Sequence, residues 1–321
     1  MSTPPFLTLP ASARSLRLET ARGGFAALHC LPPSGPVRGT ALLVPGFTGS
    51  KEDFIALLEP LAEAGFQVVA VDQRGQYQTG GPADEAAYAL EPLALDLLAI
   101  TGAVAALEPS ADAPLHLLGH SFAGYVVREA ALLRAAGDAD GRPGAQPWDS
   151  LTLMSTGPGA VCADEAHRAE LLVSVLPVMD MEAIWQAMKD LEAASEGGAP
   201  RLRPEIAEFL HRRWLANVPE ALIAMGRQLT VEPDRVDALA KAGLPVLVLS
   251  GERDYAWPVP EQAEMALRLG ARHVAVPGAG HSPNAERPEA TAAALTEFWR
   301  GVNRQSPGQA RPTSVNSLGP E

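Results

Sequence analysis

Two stretches of this chain hold side chains at spacings that could do nucleophilic chemistry. One is Leu117-Leu118-Gly119-His120-Ser121-Phe122-Ala123-Gly124, an apolar run ending in a cramped turn around a serine. The other is Gly280-His281-Ser282, which repeats the Gly-His-Ser triplet inside "PGAGHSP". A serine hydroxyl is a poor nucleophile until it is exposed, oriented and given a base. A sharp turn from a strand into a helix achieves the first two, holding the serine in a strained conformation at the end of a sheet. Strand and helix crowd each other there, so only small residues fit. Gly119, Ala123 and Gly124 meet that demand, with Ala123 standing where the G-x-S-x-G pattern has its second glycine. Chance matches to so short a pattern are common in a Gly- and Ala-rich chain. The predicted buried strand before Ser121 and the predicted helix after it favour the nucleophile reading.

Seven histidines compete for the role of base. His29, His116 and His273 sit in strand patterns and read as packing residues. His120 points away from Ser121 if strand alternation holds. His167 and His211 fall in a helical stretch where exposure is the default. His281 alone lies in a glycine-rich loop after the final strand, where a side chain can reach the end of another parallel strand. The second triplet therefore supplies a histidine, and Ser282 reads as a loop or capping residue before Pro283. An acid must hold the imidazole in one tautomer and stabilise its charge. "LSGERDYAWP" places Asp254 just past a strand end, with Glu252 as the alternative. Acyl transfer also needs donors aimed at the developing oxyanion. The backbone N–H of Phe122 follows the serine directly. The second is expected from Phe47 in "VPGFTGSKEDF", where Ser50 also reads as a helix cap.

The elements that must carry these groups alternate along the chain. Residues 16–30 read as a hairpin. Strands are expected at 40–46, 66–72, 114–120 and 149–155, with helices at 51–65, at 85–108 (Pro92 breaking or kinking it) and at 123–137. From 157 to 230 the pattern is helical only, and strands resume at 245–251 and 272–278, each followed by a helix. The expectation is an α/β fold with a mostly parallel central sheet flanked by helices. An all-helical cap (157–230) would be inserted before the last two strands, over a core of 16–156 and 231–301. The polar tail 302–321 reads as disordered.

The chain has 321 residues, is 47 % apolar and carries a formal charge of −13. That charge, with no basic patch, speaks against a nucleic-acid partner. Cys30 and Cys162 make no metal spacing or disulfide framework and read as reduced. No stretch has the length of a membrane span, and the N-terminus lacks the apolar run of a signal peptide. A cytoplasmic protein is expected. No metal cluster, phosphate loop or dinucleotide fingerprint is present, so no metal and no cofactor are expected. The expected partner is a small-molecule substrate, with no membrane and no nucleic acid; oligomeric state leaves no mark in the sequence.

Five motifs in order, "PGFTGS" (45–50), "DQRGQYQTGGP" (72–82), "GHSFAG" (119–124), "GERDYAWP" (251–258) and "GAGHSP" (278–283), resemble the α/β-hydrolase superfamily over residues 16–300, in its capped, esterase- and lipase-like serine-hydrolase branch. The resemblance implies Ser121, Asp254 and His281 as a catalytic triad and the N–H groups of Phe47 and Phe122 as the oxyanion hole. Pro45 replaces a histidine that is common in the family and bears on loop rigidity more than on chemistry. The Asp72-Gln73-Arg74-Gly75 turn is similar to the family's Asp-x-Arg-Gly turn, with a structural role. A serine nucleophile argues against dehalogenases and epoxide hydrolases of this fold, which use aspartate. The implied activity is hydrolysis of a small to medium apolar ester, thioester or lactone through an acyl-enzyme on Ser121. C–C bond hydrolases, amidases and perhydrolases share the same logic. A non-catalytic binding protein would have no need of all three residues. Leu176, Met181, Ile184, Trp185 and Met188 are candidates for the substrate pocket, against plain helix packing.

Overall fold

The computed structural model describes residues 2–107, 113–137, 145–194 and 202–305. In chain order, β1 (Ala13–Thr20), β2 (Gly23–Cys30) and β3 (Gly39–Val44) lead through a 3₁₀ turn at Lys51–Phe54 into α1 (Ile55–Glu63) and β4 (Phe66–Val71). Then come α2 (Leu90–Ala105), β5 (Leu115–His120), α3 (Ala123–Ala136) and β6 (Ser150–Met154). Among the described residues, five helices follow without an intervening strand: α4 (Ala163–Val175), α5 (Met181–Ala194), α6 (Pro204–Leu215), α7 (Pro219–Val231) and α8 (Val236–Ala240). The chain closes with β7 (Val246–Gly251), α9 (Val259–Leu269), β8 (Arg272–Val276), α10 (Pro283–Glu286) and α11 (Pro288–Gln305).

The eight strands form one sheet in the order β1-β2-β4-β3-β5-β6-β7-β8. The hairpin β1–β2 is antiparallel and also joins β4 antiparallel, while β3 to β8 run parallel. The inner strands are buried on both faces, so successive residues feed two different cores. Leu42, Val44, Leu117, Leu153 and Val248 pack under α2, α3, α8 and α9. Leu43, Leu118, Met154, Leu247 and Leu249 pack under α1 and α11. A third cluster, around Trp185, Phe209, Leu210 and Trp214, belongs to α4–α7. Helix α7 serves two clusters, giving Ala221, Met225 and Leu229 to the sheet side and Leu222 and Ile223 to the third.

Two expectations change. Pro92 neither breaks nor kinks a helix: α2 begins at Leu90, so Pro92 lies in the first turn, where a missing N–H costs nothing. Residues 85–88 are a separate 3₁₀ turn capped by Asp84, whose Oδ1 accepts the Ala86 N–H (3.0 Å). The tail expected to lose order from 302 is instead helical to Gln305, with Val302 buried; residues 306–321 lie outside those described. Both cysteines are free. No helix among the described residues is long and apolar enough to cross a membrane.

Candidate active site

Parallel pairing fixes which loops meet. Val44 pairs with Gly119 across β3 and β5, so two residues further on Gly46 faces Ser121. The contact is close: a β-carbon on Gly46 would lie 2.7 Å from Ser121 Cβ and 3.2 Å from its Oγ. Ser121 itself has φ 55°, a left-handed conformation that non-glycine residues adopt at a cost of order 1–3 kcal/mol. The sharp turn is held by Ser121 N–H donating to Met154 O (2.8 Å) and Gly124 N–H donating to Ser121 O (2.8 Å). Small residues are required at Gly119, where a β-carbon would meet Ala123 O at 2.5 Å, and at Gly124, where it would meet Thr156 at 2.4 Å. The methyl of Ala123 is accommodated in the core.

His281, in the loop after β8, brings Nε2 to 3.0 Å from Ser121 Oγ and Nδ1 to 2.8 Å from Asp254 Oδ1. Burial works against the charge on Asp254. Donation from His281, from the Ala256 N–H (2.9 Å) and from Gln262 Nε2 (3.0 Å) outweighs it and holds the carboxyl below the usual carboxylate range. An ionised Asp254 can only accept, so Nδ1 of His281 carries the proton and Nε2 faces the serine hydroxyl as an acceptor. Glu252, the alternative acid, instead accepts the Gly278 N–H (2.9 Å). His120 does point away from the hydroxyl and is 2 % exposed. Burial, with the nearby His281 second, pushes its pKa down to about 3, so it is neutral. Its Nε2–H donates to His281 O (2.9 Å) and props the histidine loop from beneath. Three of the remaining five histidines are engaged elsewhere: His116 with Ser150, His273 with Ser250, and His211 with Glu182 and Trp185.

Neither the Phe47 nor the Phe122 backbone N–H finds an acceptor among the described residues. Phe122 lies at the N-terminus of the 14-residue α3, whose dipole also favours negative charge beside Ser121. Above these groups is a cavity of about 680 Å³. Ser121, His281, Gly46 and Phe47 line one side, and α4 and α5 supply much of the rest through Ala169, Leu172, Val175, Ile184 and Met188. Of the five pocket candidates, Ile184 and Met188 line it. Leu176, Met181 and Trp185 do not; they pack in the cluster of Phe209, Leu210 and Trp214, which Ile184 and Met188 also join and whose Trp214 reaches the cavity. Sequence reading missed three residues that finish the site. Tyr255 and Trp257 flank the His281 ring at centroid distances of 4.7 and 6.2 Å, and Gln262 holds Asp254 from α9. The aromatics on either side of Ala256 in "GERDYAWP" were a readable signal; Gln262 carried none.

A model of the family described as "Alpha/beta hydrolase family" matches residues 41–294. A thermophilic esterase from Thermogutta terrifontis, solved with malate bound, has a TM-score of 0.66 at 24 % identity, over 90 % of this chain and 99 % of that one. A hydrolase from Pseudomonas aeruginosa PA01 has a TM-score of 0.65 at 23 % identity, over 89 % and 98 %. Both likenesses are of fold. A protein of Variovorax paradoxus (strain S110) named as a carbamate hydrolase, RutD, is 36 % identical over 99 residues. That alignment covers 30 % of this chain and 35 % of the relative, so the match spans about a third of that protein's length.

Proposed function

The chain belongs to the alpha/beta hydrolase family, and on that premise we propose that it is a serine hydrolase of small to medium apolar carboxylic esters, thioesters or lactones. The observation that carries this reading is the hydrogen-bonded chain from Ser121 Oγ through His281 to an ionised Asp254, opening into an apolar cavity. Ser121 Oγ attacks the carbonyl carbon and passes its proton to His281 Nε2. The oxyanion is met by the N–H groups of Phe47 and Phe122, each donor of this kind contributing roughly 10²–10³ in rate. His281 returns the proton to the leaving oxygen or sulfur, and the acyl group stays on Ser121. Water then gives a proton to His281 and attacks the acyl carbon, and the proton goes back to Ser121 as the acid departs.

Residues 157–230 act as a cap over a core of 16–156 and 231–301, and the walls given by α4 and α5 set the acyl preference. Ala169, Leu172, Val175, Ile184 and Met188 make most of that wall apolar, which supports apolar acyl groups, while Glu165, Arg168 and Glu192 of the same helices also reach the cavity. The reading places the enzyme in the cytoplasm, with both cysteines reduced.

A fluorescent fluorophosphonate applied to the protein and to Ser121→Ala tests the nucleophile. Labelling confined to the unmodified protein is expected, followed by turnover in a panel of esters, thioesters, lactones, amides and carbamates. Undiminished hydrolysis by Ser121→Ala, or hydrolysis of charged substrates only, would overturn the reading.

A further inference from the structure

The loop from Asp72 to Thr79 touches no reacting atom, yet it is tied to the Pro45–Gly46 backbone by two buried glutamines. Gln73 and Gln76 are 4 % and 1 % exposed, and a primary amide buried this far must find partners. Gln73 Nε2 donates to Pro45 O (2.7 Å) and Gln76 Nε2 donates to Gly46 O (2.7 Å). The other end of the Gln76 amide is fixed too, because its Oε1 accepts the Gln73 backbone N–H (2.9 Å). That contact settles which end of Gln76 faces Gly46. The far side of the loop is registered by Asp72, which accepts the Lys51 backbone N–H (2.7 Å), Lys51 Nζ (3.0 Å) and the Gln78 N–H (3.1 Å).

The consequence lies in the geometry of one peptide bond. Gly46 O and Phe47 N–H belong to the same planar trans peptide and point in opposite directions. Anchoring the carbonyl on Gln76, with a second bond from the Gly49 N–H (3.0 Å), turns the N–H to the other side. Gly46 packs directly on Ser121, and the Phe47 N–H meets no acceptor of the described chain. The loop is not rigid by sequence alone: Thr48, immediately after Phe47, has φ 58°, a region a non-glycine residue leaves readily unless held.

We propose that Gln76 is a positioning residue for the oxyanion donor: it holds the Gly46–Phe47 peptide so that the Phe47 N–H points at the substrate's carbonyl oxygen. Gln73 fixes the preceding carbonyl in the same way. This rests on the serine-hydrolase reading above.

The test is Gln76→Met, which keeps the length of the side chain and removes both polar ends. With an apolar aryl ester, kcat is expected to fall on the order of 10–100-fold, part of the roughly 10²–10³ that one such donor contributes, while KM stays within about twofold. Affinity for an alkyl boronate, which binds Ser121 as a tetrahedral adduct, should fall in parallel with kcat, while affinity for the planar carboxylate product should not. A merely structural role would weaken both ligands alike or lower Tm with kcat retained, and either result overturns the proposal. Gln76→Glu keeps the acceptor for Gln73 N–H and loses the donor to Gly46 O once its carboxyl is ionised, so it is assayed at a pH high enough to ionise it. It should reproduce the same split, and it decides the question if Gln76→Met does not fold. Fluorophosphonate labelling of the unmodified protein separates the two levels. If that protein labels and turns over while the Gln76 variants keep full boronate affinity, only the positioning role fails. If it neither labels nor hydrolyses any ester, the serine-hydrolase reading fails and takes the positioning role with it.

Discussion

In the first Gly-His-Ser triplet the serine reaches the cavity and the histidine is buried beneath it; in the second the histidine reaches the cavity and the serine turns aside. Strand β5 places His120 on the opposite face of the pleat from its neighbour, 2 % exposed and neutral, and the turn then thrusts Ser121 outward at φ 55°. The loop after β8 has no pleat to obey. His281 reaches across it to Ser121, and Ser282 precedes α10, its N–H on Glu286 (3.0 Å) and its hydroxyl 2.7 Å from that of Ser2. The triplets touch, since His120 donates to the carbonyl of His281 (2.9 Å). The same three letters thus take different surroundings from their backbones, and the buried histidine of one supports the loop that brings the other's histidine to Ser121.

The comparison breaks most sharply at the two serines. Ser121→Ala is expected to lower kcat/KM for an apolar aryl ester on the order of 10⁶-fold, measured against unmodified protein. Equal activity in the two would remove the asymmetry altogether. At the two histidines, His281→Gln should cost a similar factor. His120→Gln keeps a donor for the His281 carbonyl and should stay within about tenfold, because that residue acts only on the position of the loop. Asp254→Asn presents the imidazole with the wrong partner and should cost about 10⁴ in kcat. A loss below tenfold there would reopen the choice of acid.

Acid stability distinguishes the histidines without any substrate. The folded pKa of His120 is about 3 against an ordinary 6.5, so between those values the unfolded chain binds the extra proton. Stability from this group is present in full above 6.5 and is lost as pH falls, at up to about 1.4 kcal/mol per pH unit. Urea midpoints from pH 7 to 4 should therefore decline less steeply in His120→Gln. An unchanged slope would mean that His120 is not buried neutral. The smallest effect is expected at Ser282→Ala, about 0.5–1.5 kcal/mol in urea for the lost bond to Ser2 and within twofold in kcat/KM.

The strands and the turn at Ser121 were legible because burial on both faces leaves apolar runs and because a sharp turn admits only small residues. Asp254 and His281 were legible from their loops at strand ends. What stayed hidden depends on three-dimensional meeting. Nothing around Gln262 marks it as the partner of an acid eight residues earlier. Gln73 and Gln76 look like ordinary loop polarity until Pro45 and Gly46 lie opposite them. The pocket candidates divided for a related reason. Met181, Ile184, Trp185 and Met188 recur at helical spacing on one face of α5, and periodicity tells that a face is buried but not which of its residues meet a cavity and which a neighbouring helix. Ile184 and Met188 reach the cavity as well as the α4–α7 cluster, while Trp185 and Met181 pack within the cluster only.

Arg213, from α6, reaches down to Asp53 beside the Gly46–Ser50 loop. Its Nη1 donates to Asp53 Oδ1 at 2.6 Å, and both side chains are at most 1 % exposed. Asp53 is also bonded through its carbonyl to Asn284 (2.7 Å), three residues beyond His281. The helices between β6 and β7 are therefore not an interchangeable part. A chimera that received a foreign helical segment without an arginine at this point would carry a bare carboxylate in its interior, at a cost of about 3–5 kcal/mol. Any exchange of these helices for new specificity has to move residues 53 and 213 as one unit, or neutralise both.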